Sequence, residues 1–144
     1  MKRSARILIV IVAIFGSVAA GCSPQASTAA NKEAAIVVED QPSGLKLLTL
    51  SGHAAKRLGV QTVEVTTRGS GLAIPYAAVI YDSKGGTWAY AASEALTFQR
   101  AAIAIDTIDG DEALLSDGPE AGTSVVTVGA AELYGAETGV GGGH

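Results

Sequence analysis

The chain has 144 residues, 48% of them hydrophobic, with 10 Lys plus Arg against 14 Asp plus Glu and a net charge of −4. That length suits one domain of ordinary size, and an acidic body with no Lys/Arg cluster excludes nucleic acid as a partner. Cys22 is the only cysteine, which excludes an intramolecular disulfide.

Met1-Lys2-Arg3-Ser4-Ala5-Arg6 carries three positive charges and no acid, and an apolar stretch of 14 residues follows from Ile7 to Ala20. This is the order of a secretory signal, and the stretch is short of the roughly 20 residues a spanning helix needs. It ends in Val18-Ala19-Ala20-Gly21-Cys22, which resembles the lipobox of bacterial lipoproteins, although Ala19 stands where those signals more often carry leucine. The resemblance implies cleavage before Cys22, acylation of its sulfur, and an extracytoplasmic protein held to a membrane by lipid. Several acyl chains hold where one binds only marginally. The other readings are an uncleaved anchor, or a secreted protein with a single thiol. Removing residues 1–21 takes Lys plus Arg from 10 to 7, leaves Asp plus Glu at 14, and moves the net charge to −7.

Residues 22–44 read as the lipidated cysteine and a tether, since Ser23 to Lys32 are small or polar and have little to bury. A folded region is expected over 45–138, and residues 139–144 are a glycine-rich tail. Ser51 is positioned to cap a short helix that Ala54 to Leu58 fill, Lys56 and Arg57 suit by charge, and Gly59 stops. The rest predicts β-structure. Val60–Val65 alternates, and Ile74–Tyr81 is β-rich with Pro75 at its start or on an edge. Asp82-Ser83-Lys84-Gly85-Gly86 is a turn into Thr87–Tyr90, which places Trp88 and Tyr90 on one face. Leu96 and Phe98 share a face while Ile103 and Ile105 follow in the opposite phase, which predicts a break near Arg100–Ala102. Asp109-Gly110 turns into Glu112–Leu115, and Ser124–Val128 is a last strand after the loop Asp117–Gly122. The fold class is therefore mainly β: a small β-barrel or roll of about six short strands with one short helix.

No sequence motif for a catalytic nucleophile, a zinc site or a phosphate loop is present. His53 falls in the expected helix beside Lys56 and Arg57, and His144 ends the glycine tail, so neither has a second ligand at usable spacing. Asp106, Asp109, Asp111 and Glu112 gather at the second hairpin without calcium-loop spacing. Tyr76, Tyr81, Trp88 and Tyr90 are expected to fill core. No enzymatic activity, cofactor or metal is expected.

Four phrases together resemble a known family. Leu48-Thr49-Leu50-Ser51 with Ala54-Ala55-Lys56-Arg57-Leu58-Gly59-Val60-Gln61-Thr62 is similar to the opening of the periplasmic adaptor subunits (membrane fusion proteins, heavy-metal-efflux type) of RND pumps. Ile74-Pro75-Tyr76-Ala77-Ala78-Val79 with Trp88-Ala89-Tyr90 resembles the start of their membrane-proximal domain. Phe98-Gln99-Arg100 before Ile103-Ala104-Ile105, and Gly118 to Gly122 before Val125-Val126-Thr127-Val128-Gly129-Ala130, continue it, with Pro119 in place of a leucine. In that family the N- and C-terminal parts of the chain meet to build this domain. Here Arg68-Gly69-Ser70-Gly71 joins them directly, where full adaptors carry a barrel, a lipoyl-like domain and usually a helical hairpin. The methionine ligands of copper- and silver-type adaptors have no counterpart, since Met1 is the only methionine. The resemblance implies an accessory domain that contacts an inner-membrane transporter or its adaptor. The alternative is an envelope lipoprotein that binds a metal or small ligand.

Overall fold

A computed structural model describes residues 36–139. The signal segment, Cys22, the tether up to residue 35 and the tail from residue 140 lie outside the described residues. The protein is mainly β, as its alternation and turn chemistry predict.

The chain enters as β1 (Ile36–Asp40), which pairs antiparallel with β2 (Lys46–Leu50). β1 lies within the stretch read as tether, upstream of the expected boundary at 45. Its Ile-Val-Val run favours a strand, and Ile36 packs against the core. The short helix α1 (Gly52–Leu58) follows as expected. The Ser51 hydroxyl accepts the N–H of Ala54 at 3.1 Å. Gly59 ends the helix in the left-handed region, φ 63°, which an L side chain adopts only with strain.

Next come β3 (Gln61–Glu64), β4 (Thr66–Arg68) and β5 (Gly71–Pro75), then a 3₁₀ turn at Tyr76–Ala78 and the short β6 (Ile80–Tyr81). β7 (Thr87–Glu94), β8 (Thr97–Ala102), β9 (Ala104–Asp109), β10 (Glu112–Asp117) and β11 (Ser124–Val128) complete the strands, and α2 (Ala130–Thr138) closes the described chain. The described residues thus hold eleven strands where about six are expected: β1, β2 and β4 fall outside the expected strands, and the stretches 74–81 and 96–108 each hold two. They also hold a second helix that the sequence reading did not place.

The strands form two sheets. The larger runs β1-β2-β8-β7-β11-β3 with β6 on β7, and the smaller runs β4-β5-β10-β9. Two strands cross between them at one buried residue each. Val65 separates β3 from β4, donating its N–H to Thr123 O and accepting from Gly122 N, both at 2.8 Å. Ile103 separates β8 from β9, with its N–H on Thr87 O at 3.0 Å and its carbonyl accepting the Thr87 hydroxyl at 2.6 Å. The phase reversal read between Phe98 and Ile105 is this corner.

Alternation along the larger sheet sorts its side chains into two cores. Ala89 and Val125 join Val65, Ile74, Ile103 and Leu115 between the sheets. Tyr90 and Val126 join Leu48, Leu50, Phe98 and Leu133 beneath the helices. The larger sheet is thus the middle of three layers.

The turn at Arg68–Gly71 brings β5 close against β10. A Cβ on Gly71 would stand 2.7 Å from the Leu115 carbonyl oxygen, a backbone atom held by the β5–β10 pairing. Gly71→Ala is expected to destabilise the domain by about 1–3 kcal/mol through this overlap. Ser70→Ala, beside it, is the control. Chemical denaturation checks the pair, and an unchanged midpoint for Gly71→Ala would contradict the close approach.

Candidate functional site

The most concentrated polar grouping lies where α2 meets the larger sheet. Trp88 and Tyr90 project from the same face of β7, two residues apart. Arg100 of β8 stands opposite Tyr90 in the strand register, which places its guanidinium beside both rings. From below, α2 supplies Glu137, which is 3% exposed although it is an acid.

A carboxylate is buried without large cost only if it is paired and hydrogen-bonded. Glu137 is held from three strands. The Tyr90 hydroxyl donates to its Oε2. Arg100 Nε lies 2.9 Å from Oε1 and 2.8 Å from Oε2. Lys46 of β2 donates from Nζ to the Glu137 carbonyl oxygen at 2.7 Å. The Arg100 guanidinium carbon sits 4.6 Å from the centre of the Trp88 ring and 5.7 Å from that of Tyr134. Both aromatic faces attract the cation.

The network continues outward through Trp88, whose Nε1–H donates to Asp82 Oδ2 at 2.9 Å. Asp82 Oδ1 in turn accepts the N–H groups of Gly86 at 2.7 Å and Lys84 at 2.9 Å, which shapes the turn between β6 and β7. A shallow cleft of about 300 Å³ opens over this row, bordered by Asp82, Lys84, Trp88, Arg100 and Tyr134. Among the described residues no buried side-chain polar atom lacks a partner. The charges are thus spent on one another, and the arrangement fixes α2 to the sheet.

Two groups here titrate away from their ordinary values. Burial, and then the hydrogen bond to the Glu137 carboxylate, push the Tyr90 phenol upward. The Gly86 N–H, then the Trp88 indole, hold the Asp82 carboxyl below the usual carboxylate range, with Lys84 N–H and the Arg100 charge adding to the effect.

The residues singled out in the sequence are dispersed. Cys22 and His144 lie outside the described residues. His53 is exposed on α1. Asp109 and Glu112 face each other across the β9–β10 hairpin, but Glu112 pairs with Arg68 of β4. Asp106 and Asp111 are exposed, and among the described residues no three His, Cys, Asp or Glu side chains are placed to hold a metal ion.

The aromatic expectation is corrected in part. Tyr90 is core and Trp88 is half-buried, but Tyr76 and Tyr81 are exposed, with hydroxyls 3.5 Å apart. Pro75 and the 3₁₀ turn carry Tyr76 off the strand, and the two-residue β6 leaves Tyr81 facing out. Sequence reasoning missed Glu137 altogether. The signal was there as Ala130, Leu133 and Glu137 at helical spacing, ending at Gly139, with an acid on the apolar stripe.

No known family matches this chain, and no curated protein or solved structure matches it.

Glu137→Ala is expected to cost about 3 kcal/mol, since it leaves Arg100 and the Tyr90 hydroxyl without their partner in a largely buried site. Urea unfolding measures this, and a loss near zero would mean the clamp contributes nothing to the fold.

The pH dependence follows from the two shifts. A phenol raised on folding stabilises fully below its unfolded value of about 10, and that stability is lost as pH rises beyond it. Tyr90→Phe should flatten the alkaline limb of the stability profile. A carboxyl lowered on folding stabilises above its unfolded value of about 4 and loses that as pH falls through the folded value. Asp82→Asn should flatten the acid limb. Thermal melts from pH 2 to 11 check both, and variant limbs as steep as the wild type's would contradict the assignments.

Proposed function

We propose that this protein is a lipid-anchored, extracytoplasmic accessory domain related to efflux-pump periplasmic adaptors. It works by contact with an inner-membrane transporter or that transporter's adaptor, and not by catalysis. The observation that carries the reading is the weave of the larger sheet. β2 and β3, from the opening run of the chain, lie on either side of β8, β7 and β11 from its later part. A domain assembled from two separated parts of a chain is what the adaptor resemblance implies. On this reading the short turn at Arg68–Gly71, between β4 and β5, takes the place of the additional domains of full adaptors.

Membrane attachment is assigned to lipid on Cys22. Among the described residues no helix is long and apolar enough to cross a membrane. The acidic balance of the chain disfavours adhesion to anionic headgroups by charge alone, so covalent lipid is the economical means of placement.

The anchor and the partner are tested separately. Metabolic labelling with a clickable fatty acid should mark the wild type, and Cys22→Ala should remain unlabelled and leave the membrane fraction. An unlabelled wild type would remove the anchor from the proposal. In-cell crosslinking followed by purification should recover a transporter or adaptor subunit with the wild type. Repeated recovery of no transport component would overturn the partner assignment and leave the anchor untouched.

A further inference from the structure

The helix-side face of the larger sheet is not fully covered. β7 and β11 are bridged at Ala91–Val125, and a groove of about 360 Å³ opens beside that bridge. Val60, Ala92, Leu96 and Phe98 give it apolar walls, with Thr62 and Ser124 on the β3–β11 side. Phe98 is nearly closed off at 3% exposure, so the groove reaches the core.

Leu96 is the unusual part. Its φ is +58°, and it is the one described residue other than glycine in the left-handed region. That conformation is strained for a leucine, where Asn or Gly would be at ease. Strain of this kind is expected to be offset by burial, yet Leu96 remains 37% exposed on the groove wall. Leu96 sits in the turn between β7 and β8, where its carbonyl accepts the Leu50 N–H at 2.9 Å, and its side chain stays on the groove wall.

The rim has a definite charge. Glu94 borders the groove, and Glu64 stands opposite Ser124 in the strand register, on the same face. Among the described residues neither carboxylate has a hydrogen bond or ion pair, and the two ion pairs found there lie elsewhere. Arg100 and Arg68 are committed to Glu137 and Glu112, and Lys56 and Arg57 are exposed on α1. An apolar slot between two free carboxylates is complementary to an apolar side chain flanked by Lys or Arg.

We propose that this groove is a docking site for a basic-flanked apolar segment of a partner protein, gripped by Leu96, Val60 and Ala92 over the floor at Phe98 and oriented by Glu64 and Glu94. The inference stands independently of the lipid anchor and of the transporter assignment.

The test uses the full chain in nonionic detergent and fluorescein-labelled peptides read by anisotropy. The probe is Lys-Leu-Val-Leu-Lys; the controls are Glu-Leu-Val-Leu-Glu and Lys-Ser-Ser-Ser-Lys. The probe should bind saturably, at least tenfold more tightly than either control, and less tightly as salt is raised. The double variant Glu64→Gln/Glu94→Gln should weaken it at least fivefold. Leu96→Asn should weaken it as much while the Tm stays level or rises, because the strain is relieved. If Leu96→Asn lowers the Tm, the surface double variant decides alone. No saturable binding, equal binding of the charge-reversed peptide, or undiminished binding by the double variant overturns the proposal.

Discussion

Two side chains, Val65 and Ile103, hold the architecture together by each occupying a corner where a strand leaves one sheet for the other. Each is buried, and each has its backbone tied on both sides of the corner, Val65 to the Gly122–Thr123 loop and Ile103 to Thr87. A single residue between strands leaves no slack, so the sheets are set face to face. The core between them follows from that closeness, and so does its small-residue content, with Ala78, Ala89 and Ala113 all buried in it. Larger side chains would force the layers apart against two short covalent links.

On the other face the constraint is polar. The helix-side core contains the largest buried ring, Tyr90, and α2 is anchored over it by a carboxylate held from β7 and β8, with Lys46 of β2 on the Glu137 carbonyl. An apolar residue at position 137 would pack against Tyr90 but leave its hydroxyl, and the Arg100 charge, without a partner. The acid satisfies both and also fixes the rotation of the helix, because only one orientation directs it to both groups. Hydrophobic contact holds α2 down, and the clamp determines how it sits.

Local chemistry was readable wherever one or two residues decide a conformation. Ser51 and Gly59 bound α1, Asp82 shapes the turn into β7, and the reversal of phase between Phe98 and Ile105 marked the corner at Ile103. Elements that depend on distant partners were not readable. β1 became a strand because β2 offered an edge to pair with, and its Glu39 and Asp40 concealed it. α2 was hidden by Gly135 and the lack of a capping side chain at Gly129. Its stability comes from Leu133 in the core and Glu137 in the clamp, both tertiary contacts. The same limit applied to the clamp itself. Lys46, Tyr90, Arg100 and Glu137 lie on four elements, and no spacing along the chain announces them.

The two ends of the described fold also lie together. β1 forms one edge of the larger sheet, and α2 packs against β1 and β2, with Lys46 reaching the last turn of the helix. A unit whose first and last elements adjoin is modular in a geometric sense. It fits into a surface loop of another protein, or comes out of one, without stretching either end of its host. Its short internal turn at Arg68–Gly71 is a second connection at which the chain passes directly between neighbouring strands. A fold with two such seams is suited to being carried alone on a tether or embedded in something larger.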